Sequence, residues 1–430
     1  MHIYFSGIGG TGLGPLAMIA HQAGYTVSGS DKQDSQYIQY LRGHGIENIH
    51  IGQNHDQIAA VHDRTPIDWF VYSSAVAIEQ PDAPELSFCR ERGIRMSKRD
   101  ELLNQILQDK NLKLIAIAGT HGKTTTTAQA IWLAQQLKLP VSYSVGAKIP
   151  FGEMGHYEPG SEYFIYEADE FDRNFLAFQP FLSIVVGIDW DHHDIYPTRE
   201  AYEAAFAEFV GKSQYAVLWN DDAQKLGLSG SEQHKILDKS DPQINHLLQL
   251  PGAVNRQDAW QVAHAFETVT GQPVTVLPEL LNTFPGVSRR FEYLRPGLVT
   301  DYAHTPPKIR GTLDTAQEVA GDNVVVVYEG LHNSRQHFIK DELRGLFAGV
   351  KQLYIVPSYL AREDTSLQLL TSEDLRDLME PKIQTRTIPS ALSDDLQQAI
   401  DNHLAAGDLV VCITAGGGGS LDEWLRARYR

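Results

Sequence analysis

A glycine loop at residues 118–127, with the sequence AGTHGKTTTT, carries the strongest chemical signal in the chain. It follows the apolar run LIAIAG at 114–119 and opens a helical pattern. Glycines let backbone N–H groups crowd around phosphate oxygens, and the helix that follows presents its positive end to them. Lys123 would neutralise phosphate charge, and the Thr124 hydroxyl would ligate Mg²⁺. The loop is shorter than a Walker A motif, and a glycine-rich turn before a Thr-rich helix is the alternative.

A second glycine loop, GIGGTG at 7–12, directly follows the apolar run HIYFS at 2–6. Asp31 ends the next strand-like run about twenty residues later, which completes a dinucleotide fingerprint. The same loop can hold any nucleotide that bears a pyrophosphate, because the contact is made by backbone N–H groups at a helix end. NAD(P), another pyrophosphate nucleotide and a purely structural turn all stay open at this point.

Two acidic clusters also follow strand-like runs. They are EADEFD at 167–172 and DWDHHD at 189–194. Carboxylates near a phosphate loop are natural holders of Mg²⁺, which prefers hard oxygen ligands, and the adjacent histidines could complete a second metal site. The alternative for each cluster is a solvated acidic loop.

An arginine pair lies in GVSRRFE at 286–292, ahead of DYAHTP at 301–306. An arginine near a domain junction could reach across a cleft to a phosphoryl group in transfer. Taken alone, such arginines are more often part of a surface ion pair.

The elements that must position these residues alternate between short β-rich runs and longer helical patterns, which predicts parallel α/β domains. At 430 residues, the chain has room for roughly three domains. Junctions are expected near residue 109 and within 284–297, which gives predicted domains 1–108, 109–296 and 297–430.

Composition narrows the classes of function. The formal charge of -18 disfavours nonspecific binding to nucleic acid or to an anionic membrane. With two distant cysteines, neither a disulfide framework nor a structural zinc site is indicated. Because neither a targeting segment nor a spanning apolar run is visible, we expect a cytoplasmic protein.

The order of these motifs resembles the Mur ligases, ATP-dependent amide-forming enzymes of peptidoglycan precursor synthesis. The resemblance covers nearly the whole chain and includes LPGAVN at 250–255 and AGGGGS at 415–420. It implies an N-terminal Rossmann-like domain for a UDP-sugar, a central P-loop-type ATPase domain and a C-terminal Rossmann-like domain for the amine substrate.

The resemblance also implies roles for individual residues. The ATP-binding residues would be Gly119, Thr120, His121, Gly122, Lys123, Thr124, Thr125, Asn255, Arg290, Asp301 and His304. The UDP-sugar would lie against Gly9, Gly10, Thr11, Asp31 and Ser74. Thr124 and Glu167 would hold a first Mg²⁺ and His192 a second, and Lys123, His192 and Arg290 would be catalytic. Asn333 and Arg335 would face the amine.

Three motifs depart from the family pattern, one of them EADEFD, in which Phe171 stands where members that add alanine commonly carry serine and members that add a tripeptide carry an aromatic residue. Val254 replaces the histidine that commonly precedes the asparagine of LPGAVN, and residues 331–335 read LHNSR where members that add alanine commonly carry HRYSR. The identity of the amine therefore stays open.

The resulting hypothesis is an ADP-forming acid–amino-acid ligase that joins L-alanine to UDP-N-acetylmuramate through an acyl phosphate, as a monomer or homodimer. One alternative is a ligase that adds the peptide L-Ala-γ-D-Glu-diaminopimelate to the same acceptor. Alternatives of other classes are an NAD(P)-dependent oxidoreductase and a nucleotide-sensing module without turnover.

Overall fold

The computed structural model describes residues 1–73, 76, 82–192, 195–360, 363–364 and 366–429. The chain forms two compact units. The first contains Met1–Leu248 and Gln257–Phe284, and the second contains Gln249–Arg256 and the chain from Pro285 onward.

The first sheet is parallel throughout and has the strand order β3-β2-β1-β4-β5. Its strands are β1 (His2–Ser6), β2 (Thr26–Asp31), β3 (Ile49–Ile51), β4 (Trp69–Tyr72) and β5 (Arg95–Ser97). The accompanying helices are α1 (Leu13–Gln22), α2 (Gln36–Gly43), α3 (His55–Arg64), α4 (Pro84–Arg92) and α5 (Arg99–Asp109).

The second sheet has the order β12-β11-β10-β6-β9-β7-β8 and is parallel except for β8 at its edge. Its strands are β6 (Lys113–Ala118), β7 (Val141–Ser144), β8 (Gly155–His156), β9 (Tyr163–Glu167), β10 (Leu182–Val185), β11 (Tyr215–Trp219) and β12 (His234–Leu237). The helices are α6 (Lys123–Gln136), α7 (Arg199–Gly211), α8 (Asn220–Lys225), α9 (Pro242–Leu247), α10 (Ala253–Thr270) and α11 (Leu277–Leu281), with 3₁₀ turns at Phe171–Ala177 and Val274–Val276.

The third sheet has the order β13-β14-β18-β15-β16-β17, with only the β13–β14 pair antiparallel. Its strands are β13 (Glu292–Arg295), β14 (Leu298–Asp301), β15 (Val324–Leu331), β16 (Gln352–Tyr359), β17 (Thr387–Pro389) and β18 (Leu409–Ile413). The helices are α12 (Pro306–Ala320), α13 (Asn333–Leu346), α14 (Ser372–Leu378), α15 (Pro381–Gln384), α16 (Asp394–Ala405) and α17 (Leu421–Tyr429).

Strand β15 shows why the apolar runs become central strands. Val324 and Val326 enter one buried cluster, whereas Val325 and Val327 enter another. Both faces of the strand are therefore covered, as is typical of parallel sheets between helices.

The first two sheets share one hydrophobic core. Leu102 and Ile106 of α5 belong to the same buried cluster as Ile3 of β1 and Phe164 of β9. Two predicted domains thus pack into one compact unit, while each keeps its own sheet.

The α/β class and the three sheets agree with the sequence-based expectation. Strand β13 falls inside the range predicted for the middle domain but pairs with β14 in the third sheet. The domain boundaries themselves stay a prediction. Of the helices that the structure describes, none combines the length and apolar character that a membrane span requires.

Candidate functional site

The loop between β6 and α6 has the backbone that the sequence predicts for a phosphate-binding turn. Gly119 and Gly122 have φ angles of +146° and +81°, a region that side chains disfavour. A Cβ atom at Gly119 would lie 2.6 Å from a methyl group of Val186 and 3.0 Å from the carbonyl oxygen of Gly187. Helix α6 begins at Lys123, so its free N–H groups and positive end face the loop.

Lys123 is held at the start of α6 by two oxygen atoms. Its Nζ donates to Oε2 of Glu170 and to the carbonyl oxygen of Gly119, each at 2.6 Å. The Lys123 side chain is 14% exposed and that of Glu170 only 1%. Burial alone would lower the pKa of Lys123, but Glu170 and nearby carboxylates outweigh it and raise the pKa. Burial would raise the pKa of Glu170, yet Lys123 and His192 hold it below its usual value.

The four carboxylates of EADEFD each have a different partner. Thr124 Oγ1 donates to Oε1 of Glu167 at 2.8 Å, and the backbone N–H of Gly146 donates to its Oε2 at 2.8 Å. Asp169 lies 3.4 Å from the guanidinium of Arg99, and Asp172 pairs with the ammonium group of Lys98, both at the start of α5. Glu170 binds Lys123. Three of these carboxylates are paired with cations and Glu167 is hydrogen-bonded, so the cluster is not the free acidic loop that the sequence left as an alternative.

His192 joins the same centre from the DWDHHD segment. Its Nε2 lies 3.5 Å from Oε1 of Glu170, and its ring meets that of Phe171 edge-on. His192 has a φ of +53°, so the backbone turns sharply at this residue. His193 and Asp194 lie outside the described residues.

The oxygen donors fit a magnesium site of the kind that the sequence predicts. Thr124 and Glu167 supply a hydroxyl and a carboxylate at 2.8 Å from each other, and Mg²⁺ commonly takes only one or two protein ligands beside substrate phosphates. Within the described part of the chain, no three His, Cys, Asp or Glu side chains cluster in a way that could hold a metal ion by themselves. Any ion there would depend on phosphate oxygens for the rest of its shell.

The hydroxyl group of Thr120, a residue predicted to bind ATP, makes its hydrogen bonds within the protein. It donates to the carbonyl oxygen of Asp189 at 2.8 Å, and accepts from the N–H of Asp189 at 2.9 Å and from Tyr202 OH at 2.8 Å. Thr120 thus ties the phosphate loop to the strand end that carries His192. His121, Gly122 and Thr125 are half-buried in the loop and the first turn of α6.

Two residues near the phosphate loop were not predicted from the sequence. Glu170 belongs to a recognised motif, but nothing in the spacing shows that it, and not Glu167, pairs with Lys123. Asp258 is buried on α10, and its Oδ2 lies 2.9 Å from where a Cβ atom of Gly122 would be. Burial raises the pKa of Asp258 well above its usual value, against an opposing hydrogen bond from Thr126. Its only sequence signal is its position shortly after LPGAVN.

The first glycine loop connects β1 to α1. Gly7 has a φ of +89°, and the N–H of Gly9 donates to Oδ2 of Asp31 at 2.8 Å. Asp31 therefore fixes the shape of the loop, while Gly10 and Thr11 are exposed at its tip. Ser74, the remaining residue predicted for the UDP-sugar, lies outside the described residues.

A buried carboxylate that the sequence did not reveal supports this loop. Glu85 accepts from Tyr4 OH at 2.8 Å, from Ser6 Oγ at 2.6 Å and from Ser30 Oγ at 2.9 Å. Ser6 and Ser30 are the residues just before Gly7 and Asp31. Glu85 thus joins the ends of β1 and β2 where the loop begins.

The other predicted nucleotide residues lie in the second unit. Asp301 accepts from the N–H groups of Phe291 and Ala303 at 2.7 and 2.8 Å, and burial raises its pKa against the opposing charge of Arg290. The Arg290 guanidinium lies 4.8 Å from the centre of the Tyr302 ring. His304 is half-buried, and its pKa is lowered to about 3, first by loss of solvent and then by Lys308, so its ring is neutral near pH 7.

The remaining predicted residues of this unit are Asn255, Asn333 and Arg335, and the two asparagines make hydrogen bonds within the protein. Asn255 Nδ2 donates to the carbonyl oxygen of Pro251 at 2.7 Å. Asn333 is buried, donating to Gln368 O at 3.0 Å and accepting from the N–H of Leu370 at 2.9 Å. The Asn333 amide therefore orders the 368–370 segment and offers little to an amine. Arg335 is close enough to His304 to help lower its pKa.

These features define an α/β protein that binds nucleotide phosphates, with two strand–glycine loop–helix turns and a lysine–carboxylate centre at one of them. Family models agree: the "Mur ligase family, catalytic domain" matches 2–111, the "Mur ligase middle domain" 117–245 and the "Mur ligase, glutamate ligase domain" 289–416. A UDP-N-acetylmuramate–L-alanine ligase of Kineococcus radiotolerans is 31% identical over 96% of this chain and 91% of its own length. One from Agathobacter rectalis is 29% identical, covering 97% and 95%. The chain belongs to the Mur ligase family.

Solved structures share the fold. The UDP-N-acetylmuramate–alanine ligase of Thermotoga maritima aligns with a TM-score of 0.74 at 23% identity, over 97% of this chain and 96% of that one. A murein peptide ligase from Psychrobacter arcticus aligns with a TM-score of 0.60 at 21% identity and the same coverage.

The family assignment confirms the predicted three-domain α/β class and the predicted enzyme class, since Mur ligases form amide bonds with ATP and release ADP. It selects the ligase over the oxidoreductase that the first glycine loop left open. The roles of individual site residues stay predictions.

Proposed function

We propose that this protein joins L-alanine to the lactyl carboxylate of UDP-N-acetylmuramate with hydrolysis of ATP to ADP and phosphate. The observation that carries the proposal is the Lys123–Glu170 centre at the start of α6, in a chain whose full-length relatives bear the name of that ligase. We further infer that it acts in the cytoplasm, where its proposed substrates ATP and UDP-sugar are made.

In the proposed reaction, a carboxylate oxygen attacks the γ-phosphorus of ATP, and ADP leaves. The amine nitrogen then attacks the carbonyl carbon of the acyl phosphate, phosphate leaves, and the nitrogen gives up a proton as the amide forms. Two anions must approach in the first step, so positive charge at the phosphates lowers the barrier. Lys123 would supply that charge, because its burial lets it act with little screening by water.

Glu170 would keep Lys123 extended toward the loop before the nucleotide binds, and Arg290 stays the further phosphate-binding cation that the family resemblance implies. Thr124 and Glu167 would hold one Mg²⁺ and His192 would take part in a second site. Bound there, the metal would neutralise charge on the phosphoryl oxygens. Arg335 is proposed to face the amine; Asn333 would act by ordering the segment beside it.

A competition assay tests the proposal. The enzyme, ATP, magnesium and UDP-N-acetylmuramate are incubated with L-alanine and L-Ala-γ-D-Glu-diaminopimelate together, and the product is identified by mass. We expect the increment of one alanyl residue, with Lys123→Ala as the inactive control. The increment of the tripeptide would instead assign the peptide-adding activity named for the Psychrobacter arcticus neighbour. Phosphate release without an acceptor would contradict both.

A further inference from the structure

Arg99 lies between the first glycine loop and the acidic segment at 167–172, both in the first unit. It is the first residue of α5, and its side chain is 28% exposed. Its Nη1 lies 2.9 Å from where a Cβ atom of Gly12 would be, so the guanidinium packs directly against the end of the first loop. Its Nη2 lies 3.4 Å from Oδ2 of Asp169. Different nitrogens of one planar group therefore face two different motifs.

The second of these contacts leads to the phosphate-binding centre. Asp169 is the neighbour of Glu170, and Glu170 holds Lys123 at 2.6 Å. The Asp169 carboxylate also accepts from the N–H of Phe171, and its carbonyl oxygen accepts from the N–H of Phe175, so hydrogen bonds tie Asp169 to the segment that follows it. The Arg99 guanidinium therefore helps to position the acidic segment, and with it Glu170, the partner of Lys123.

The contact of Arg99 with Gly12 lies beside a helix end that favours anions. Gly12 immediately precedes α1, and the free N–H groups at that helix end favour a phosphate. Gly12 and Arg99 also line one small cavity with Leu16 and Tyr166. A diphosphate held by the first loop would thus have a cationic fork beside it, and arginine can bind a phosphate and a carboxylate through separate nitrogens.

Lys98 provides an internal comparison. It pairs with Asp172 of the same acidic segment, one residue before Arg99 in the chain. In the described structure, however, no atom of Lys98 is among those nearest to the glycines of the first loop. Both cations pair with the acidic segment, and Arg99 is the one of the two that packs against Gly12.

We propose that Arg99 is a positioning residue that couples the two nucleotide sites: the diphosphate of the UDP-sugar fixes its guanidinium, which fixes the acidic segment and so favours ATP at Lys123. The inference rests on the proposed function, because it needs the UDP-sugar at the first loop. Binding of either nucleotide then strengthens binding of the other by the same factor.

Calorimetry tests this coupling on the full chain. The dissociation constant of magnesium AMPPNP, an ATP analogue that is not hydrolysed, is measured with and without saturating UDP-N-acetylmuramate. In the wild type we expect at least about fivefold tighter binding with the UDP-sugar present. Arg99→Gln should reduce the factor to near one, Arg99→Lys should restore part of it, and Lys98→Gln should leave it unchanged.

The ratio of the two AMPPNP dissociation constants, without and with the UDP-sugar, distinguishes coupling from a general structural role of Arg99. If Arg99 only kept the acidic segment intact, its loss would weaken AMPPNP binding even without the UDP-sugar. Lys98→Gln would then show the same weakening, and in both variants the UDP-sugar would still tighten AMPPNP binding by the wild-type factor. Thermal unfolding of each variant verifies that it is folded. Retained coupling in Arg99→Gln, or an equal loss in Lys98→Gln, would overturn the role of Arg99 while leaving the ligase intact. If the wild type binds no UDP-N-acetylmuramate, the proposed function fails, and the role of Arg99 fails with it.

Discussion

The ammonium group of Lys123 donates to a carboxylate oxygen of Glu170 at 2.6 Å, and the Glu170 side chain is almost completely shielded from solvent. A buried charge that loses its partner is costly, since the protein supplies no water to replace it. The lysine that is proposed to receive ATP therefore also supports the fold before ATP arrives.

Replacement of Lys123 by Met should lower the free energy of unfolding by about 3–5 kcal/mol, because Glu170 stays buried and loses the cation closest to it, with His192 at 3.5 Å remaining. Adding Glu170→Met in the same chain should recover part of that loss. Urea unfolding measures both. Lys239→Met is the control: its pair with Asp221 is exposed, so the expected cost is below about 1 kcal/mol. Equal effects of Lys123→Met and Lys239→Met would contradict the buried pair.

Thr120→Val should destabilise the protein by about 1–3 kcal/mol, since the N–H of Asp189 and the hydroxyl of Tyr202 lose a buried partner. It should also raise the KM for ATP, because the phosphate loop loses its tie to the strand end. Thr120→Ser keeps the hydroxyl and should keep both properties near wild type. Unfolding and ATP titration together check this, and a Val variant as stable as the Ser variant would refute it.

Asp258→Asn should make stability less dependent on pH. The folded-state pKa of Asp258 is raised, so the contribution of its protonated form is present at low pH and is lost as pH rises through that pKa. Between the unfolded-state and the folded-state pKa, the wild type loses stability as pH rises. The free energy of unfolding of the variant should therefore increase relative to that of the wild type by up to about 1.4 kcal/mol per pH unit. Urea unfolding from pH 5 to 9 measures the trend, and Asp63→Asn at an exposed position should run parallel to the wild type.

Glu85→Ala should cost more than about 3 kcal/mol, because three buried hydroxyl groups lose their acceptor at once. Glu85→Gln retains an oxygen acceptor and should cost about 1 kcal/mol. If the UDP-sugar binds at the first loop, its KM should rise in the Ala variant more than the KM for ATP, which is bound by a different loop. A similar loss in the two variants would show that the hydroxyl groups do not depend on Glu85.

Several elements could be predicted from the sequence because their signals are local. The apolar runs at 2–6 and 114–119 became β1 and β6, since continuous apolar segments between turns suit strands buried on both faces. The glycines at 119 and 122 were informative for a similar reason: their positive φ angles are a property of the chain at those positions. Buried partners such as Glu85 and Asp258 gave no such signal, because each meets its neighbours across more than fifty positions of sequence.

The sequence alone determined the α/β class, the two glycine loops and the acidic segments that follow the strands, because each depends on residue types within a few positions of one another. Only the tertiary structure decided which carboxylate meets which cation. Glu167, Asp169, Glu170 and Asp172 are chemically alike and adjacent, so spacing cannot distinguish them. The packing of α5 and α6 around their loop assigns Glu170 to Lys123 and Asp169 to Arg99, since pairing depends on distance in the folded chain.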